Sequence, residues 1–155
     1  MGLCGDGSIE VFSDTRQKMP EIWKAHRGFV AEAVFFPDGR TLATAGLDAR
    51  LKLWDLKTKQ ETSFGRALNA FFSVALNADA SRLVAGAGEG LIRIYDPVRA
   101  LQLLTLRSDT AYLGKVRFMD DGNTLVSLGY GGLQVWRAPS WAEIEAAEKA
   151  DSKTP

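Results

Sequence analysis

The chain has one cysteine, one histidine and five prolines in 155 residues. A single thiol, Cys4, closes no internal disulfide, and packing as a small residue at a strand end accounts for it better than reactivity does. That usage suits a reducing compartment, so the expected localisation is cytoplasmic. One histidine, His26, leaves too little for a zinc site or a Ser–His–Asp set. Nineteen basic and nineteen acidic side chains cancel, so no overall field draws the chain to a polyanion and no nucleic-acid partner is expected. No apolar run approaches the roughly 18 residues of a membrane span, so no membrane partner is expected either. The opening MGLCGDGSIEVF lacks the charged-then-apolar order of a secretory signal. Asp6 also stands where an acylation motif needs Ser or Thr.

What is present is a fourfold echo: GDGSIEVFSD from Gly5, GLDARLKLWDL from Gly46, GEGLIRIYDP from Gly88 and GYGGLQVWRA from Gly129. Its closing aromatics, Phe12, Trp54, Tyr95 and Trp136, recur at steps of 42, 41 and 41 residues. A period near 40 is the mark of a repeat architecture, in which each unit is one supersecondary block stacked on the next. With 46% apolar residues, the chain has enough to bury a core along such a stack.

One unit, from His26, shows how the block is built. Phe29–Phe36 is apolar and rich in β-formers. Pro37-Asp38-Gly39-Arg40 is a turn in which Gly39 takes the positive φ. Thr41–Gly46 is a second strand whose Ala43 and Ala45 permit close packing. Leu47-Asp48-Ala49 turns into Arg50–Trp54, an alternating strand with Leu51 and Leu53 on one face, and Glu61–Phe64 is a weak edge strand. The following units repeat this as Ala70–Leu76, Arg82–Gly86, Leu91–Tyr95 and Leu101–Leu106, then as Tyr112–Met119, Thr124–Leu128 and Leu133–Trp136. Four short strands per unit, divided by Gly, Asp and Pro turns, write an antiparallel β-meander. Strand–helix units need helical stretches of ten or more residues, and none precedes residue 140.

The ends differ from the middle. Gly5–Phe12 and Pro20–Lys24 read as only the last two strands of a unit. Ser140–Ala150 reads as a helix: Ser140 with Glu143 forms a capping box, and Trp141 and Ile144 share a face. The expected fold class is therefore all-β, about three and a half four-stranded blades and a short C-terminal helix. The units divide at 1–25, 26–66, 67–107 and 108–138, the last lacking its outer strand, with helix and tail at 139–155.

The segment His26–Asp55 closely resembles the WD-repeat β-propeller family: His26 in the dipeptide position, Phe36-Pro37-Asp38-Gly39 as the turn, and Trp54-Asp55 as the name-giving pair. The resemblance implies a partial propeller and a structural hydrogen-bonded tetrad of His26, Thr44, Asp48 and Trp54. In that role His26 supports the fold and is no general base. The next unit departs from the pattern with Ala67, Ala85, Glu89 and Tyr95. The one after it has Asp109, Ser127 and Tyr130, closing on Trp136-Arg137. The family also implies a protein or peptide partner at the face where the fourth-to-first and second-to-third strand loops converge. Mapped by the repeats, that face takes Arg27, Phe29, Leu47, Arg66, Asn69, Glu89, Tyr112 and Tyr130.

The ending Trp136-Arg137-Ala138-Pro139-Ser140-Trp141 resembles the close of large bacterial WD-repeat proteins, often of planctomycete type, some of which carry a protein kinase domain upstream. This chain has no kinase signature of its own. Gly86-Ala87-Gly88-Glu89-Gly90 lacks the spacing, the Lys-Ser/Thr end and the helix of a phosphate loop. Asp120-Asp121-Gly122 has too few spaced oxygens for an EF-hand. The inner strands offer only Glu32, Lys115 and Arg117 as charges, too few for a hydrolase channel. No catalytic residue, cofactor or metal is expected, and the chain is expected not to be an enzyme.

The leading expectation is a non-catalytic protein–protein interaction scaffold. The alternative is a regulatory or substrate-docking propeller segment of a larger bacterial Ser/Thr kinase. Three and a half blades are fewer than a closed ring needs. The chain is expected to be the C-terminal piece of a longer protein, to complete a ring by self-association, or to persist as an open arc, the first being preferred.

Overall fold

A computed structural model describes residues 1–12, 19–110 and 112–138. The helix expected at Ser140–Ala150 lies outside them. The described residues form fourteen strands and no helix. The first sheet holds β1 (Gly2–Leu3), β2 (Ser8–Val11) and β3 (Glu21–Lys24). The second holds β4 (Val30–Phe35), β5 (Thr41–Gly46), β6 (Arg50–Asp55) and β7 (Glu61–Arg66). The third holds β8 (Phe71–Leu76), β9 (Leu83–Ala87), β10 (Leu91–Asp96) and β11 (Leu101–Arg107). The fourth holds β12 (Leu113–Phe118), β13 (Thr124–Gly129) and β14 (Gly132–Arg137). Each is an antiparallel meander in chain order, the arrangement of a partial β-propeller. The first sheet has three strands rather than the expected two, because Gly2 and Leu3 pair with Glu10 and Ile9.

The sheets stack face to face, and the alternation of each strand feeds two interfaces at once. Ala43, Ala45 and Leu51 of the second sheet pack on Phe71, Leu83, Ala85 and Tyr95 of the third. The third sheet turns Ala75, Val84 and Ile92 to Leu113, Val116 and Leu125 of the fourth. Behind the second sheet, Leu42 and Trp54 meet Ile9 and Ala25 of the first. This is why β9 is buried along its whole length. It is also why Trp54 is buried although it lies on the strand face opposite Leu51.

Strands β4, β8 and β12 lie side by side at the inner edge. Each carries a bulge at one repeat position, where Ala31, Phe72 and Gly114 drop out of register. A bulge re-aims the residue that follows it, and here those residues are Glu32, Ser73 and Lys115, which meet.

The tight turns after β4, β8 and β12 place Gly39, Ala80 and Gly122 in the left-handed region, at φ 63°, 56° and 68°. Glycine adopts that conformation without penalty and alanine does not. Replacing Ala80 by Gly is expected to raise the unfolding free energy by about 1 kcal/mol in urea titrations, since the strain relieved exceeds the added chain entropy.

Candidate functional site

The second sheet holds a continuous line of buried hydrogen bonds. Trp54 Nε1 donates to Thr44 Oγ1 (3.0 Å), Thr44 Oγ1 lies 2.7 Å from His26 Nε2, and His26 Nδ1 lies 2.8 Å from Asp48 Oδ1. Because an ionised carboxylate can only accept, His26 donates from Nδ1 to Asp48, and the Nε2 of the neutral ring accepts from the Thr44 hydroxyl, which itself accepts from the indole. Asp48 also accepts from the Arg27 amide at 3.0 Å, so the line fastens the β3–β4 connection to the β5–β6 turn. Burial holds the His26 imidazole below its ordinary pKa, against the opposing pull of Asp48. With both nitrogens taken and its side chain buried, His26 is not placed to exchange protons with a substrate.

A glycine makes room for this ring. A Cβ on Gly46 would overlap His26 Nδ1 and crowd Asp48. In the third sheet the ring is replaced by Ala67, and the matching position, Ala87, carries its methyl buried.

The other sheets rebuild the clasp with different chemistry. In the second and third, Lys52 and Arg93 at one repeat position donate to the carbonyls of Ala25 and Arg66. Arg93 also pairs with Glu89, whose carboxylate reaches the amides of Leu68 and Asn69. Glu89 is therefore turned inward and is not an exposed contact of the loop face, as mapping by repeats had it. In the fourth sheet Gln134 bridges Ser108 and Asp109, and Trp136 Nε1 donates to Ser127 Oγ at 3.0 Å. The sequence did not mark Lys52, Arg93 or Gln134, although their spacing of 41 residues was a readable signal.

At the inner edge Glu32 joins three sheets. Ser73 Oγ (2.6 Å) and the Val74 amide (3.0 Å) donate to its Oε2, Lys115 Nζ donates to Oε1 (2.8 Å), and Arg117 reaches both oxygens. Burial raises its pKa, but Arg117, Lys115, Ser73 and the Val74 amide outweigh that and hold it at about 2. The sequence supplied these charges as a sparse channel set, and the structure makes them a clasp. No three His, Cys, Asp or Glu side chains among the described residues are grouped to hold a metal. No helix among them is long and apolar enough to cross a membrane.

The remaining mapped residues lie at the edge of the sheets where β3 leads to β4 and β5 turns to β6, called here the connection edge. Arg27, Arg66 and Asn69 are exposed. Phe29 is 58% exposed, with its ring resting over Gly5, and Leu47 is exposed beside it. Tyr130 is 89% exposed, whereas Tyr112 is half-buried between Tyr130 and Phe72. Leu68, 87% exposed, and Phe72 belong to the same edge and were not picked out from the sequence.

Two expectations follow. Glu32→Gln should lower the unfolding free energy by about 2 kcal/mol at neutral pH, by leaving Lys115 and Arg117 short of a counter-charge. That deficit should vanish in denaturation curves as pH falls from about 4.5 toward about 2, where the wild-type carboxylate also protonates. Because the folded chain resists protonation of His26, wild-type stability should begin to fall as pH drops below about 6.5. In His26→Gln that slope between pH 6.5 and 5.5 should flatten, measured as thermal midpoints.

Comparison with known proteins bears on this geometry. The family described as WD domain, G-beta repeat matches residues 17–55, the span that carries the His26–Trp54 line. The chain is similar to DDB1- and CUL4-associated factor 13 of Dictyostelium discoideum, 30% identical over 123 residues. That alignment covers 76% of this chain and 27% of the relative, so the chain spans little more than a quarter of the curated relative it matches. The match over 17–55 and this likeness together support a place in the WD-repeat family.

Proposed function

We propose that the chain is a non-catalytic interaction scaffold of WD-repeat type that presents the connection edge to a protein or peptide partner. The observation that carries this reading is the contrast between two kinds of side chain. The polar and titratable groups capable of chemistry, His26, Asp48, Glu32 and Glu89, are spent on clasps within and between sheets. The large apolar side chains at the connection edge, Phe29, Leu47, Leu68 and Tyr130, stand in solvent. Aromatic and arginine side chains on a rigid frame are the composition of protein-binding hot spots. The relative's name describes association with other proteins, which suits the same role. A cytoplasmic setting agrees with the single cysteine.

The outer face of the fourth sheet extends the reading. Leu128, Leu133 and Val135 are exposed there, and Val126 pairs with Val135 beside them. Their counterparts in the third sheet, Val84 and Ile92, are buried against the fourth sheet. This face is therefore built to receive another sheet, from the same polypeptide or from a second copy.

The test is photo-crosslinking in cells. A benzophenone amino acid placed at Tyr130 is expected to give discrete protein adducts, and the same group at Asp79, on the opposite edge, is expected to give none. Absence of adducts from both positions would sink the scaffold reading.

A further inference from the structure

Each connection that crosses the connection edge carries an arginine followed by a ring. Arg66 ends β7 and Arg107 ends β11, at the same repeat position. The connections they open run to Phe72, at the bulge of β8, and to Tyr112, at the start of β12. One connection earlier, Arg27 and Phe29 stand two residues apart. All three arginines are exposed. The rings form a tilted stack: Phe72 and Tyr112 have centroids 4.5 Å apart with planes inclined 49°, and Tyr112 and Tyr130 have centroids 5.0 Å apart with planes inclined 32°. The stack climbs from half-buried Phe72 on the third sheet to Tyr130 on the β13–β14 turn. Gly88 leaves the space for its lower end, since a Cβ there would come within 3.0 Å of the Phe72 ring.

The charge at this edge is lopsided. Of its carboxylates, Glu89 pairs with Arg93 and Asp6 with Lys24, while Asp48 and Asp109 are held by the neutral side chains of His26 and Gln134. None of the ion pairs among the described residues engages Arg27, Arg66 or Arg107. Three arginines against those two carboxylates leave a chain with no net charge with an excess of positive charge at the edge that carries the rings.

We propose that this edge receives an acidic peptide segment of a partner protein, which lays an aromatic or proline ring on Tyr130 and sets carboxylates against Arg66 and Arg107. The proposal rests on the scaffold reading and adds the chemistry of the partner. Guanidinium forks match carboxylates in a bidentate geometry, and an open tyrosine face accepts a flat apolar ring at small entropic cost. A single-stranded nucleic acid would also bring negative charge and rings, but successive bases need successive open ring faces. Here Phe72 and Tyr112 cover one another, and Tyr130 alone stands clear.

The experiment uses the full chain and a fluorescein-labelled nonapeptide with a tryptophan between two runs of four glutamates, followed by fluorescence anisotropy. Three further probes accompany it: the same peptide with glutamine for glutamate, with alanine for tryptophan, and a labelled oligothymidylate. The glutamate peptide is expected to bind about tenfold more tightly than each of the three, and to weaken as salt is raised. Tyr130→Ala and the pair Arg66→Glu, Arg107→Glu should each reduce that affinity by about tenfold, with circular dichroism unchanged because all three side chains are exposed. Equal binding of the glutamine peptide, tighter binding of the oligonucleotide, or variants that bind like wild type would overturn the proposal. Protein adducts at position 130 that persist in the Arg66→Glu, Arg107→Glu background would also overturn it, while leaving the scaffold reading intact. Loss of all adducts in the wild-type chain would remove both.

Discussion

The burial of each sheet between its neighbours is the constraint from which the rest of this structure follows. A meander of three or four short strands has two faces, and one such sheet alone cannot remove both from water. Here Ala43, Ala45 and Leu51 face one way and Trp54 the other, so the second sheet is held from both sides. Small alanines and large aromatics share these interfaces: Ala43, Ala45 and Ala85 pack with Phe71 and Tyr95 on one side of the second sheet, and Trp54 packs with Ile9 and Ala25 on the other. Every other device in the chain keeps this stack in register.

Two such devices stand out, and they act in different directions. The line from Trp54 through Thr44 and His26 to Asp48 runs along one sheet and ties the β3–β4 connection to the β5–β6 turn. The Glu32 clasp runs between sheets, drawing β8 and β12 onto β4 through Ser73, Lys115 and Arg117. Both bury a carboxylate that would be costly alone and surround it with donors. A histidine beside an aspartate in such a line is a structural part, since its two nitrogens are spoken for. What the stack does not consume, apolar rings and arginines, stands exposed at the connection edge.

The copies of the unit have diverged in a physically coherent way. Where His26 is lost to Ala67, the glycine that cleared space for the ring is lost too, and Ala87 fills the site. Where Asp48 becomes Glu89, the longer carboxylate finds Arg93 and the amides of Leu68 and Asn69. Where the pattern decays furthest, the amide of Gln134 replaces the cation, accepting from Ser108 and donating to Asp109, while Ser127 still accepts from Trp136. What each sheet retains is the fastening of a connection to a turn, and the side chains that do it are interchangeable.

The period, the strand alternation and the turn chemistry were legible in the sequence, because a 41-residue spacing and a two-residue alternation are properties of the chain itself. The order and antiparallel pairing of the strands in each sheet follow from those local signals. The partners of Glu32 did not follow, because Ser73, Lys115 and Arg117 lie 41 to 85 residues away and meet it only where three bulges turn side chains toward one inner edge. The third strand of the first sheet was hidden for the opposite reason: Gly2 and Leu3 are too short to carry an alternation and form a strand only by pairing with β2. The inward turn of Glu89 and the stack of Phe72, Tyr112 and Tyr130 belong to the same class. Sequence alone determined what each unit is, since local spacing encodes it. Tertiary structure decided which charges are spent and which rings stand free, since both depend on how the units are placed against one another.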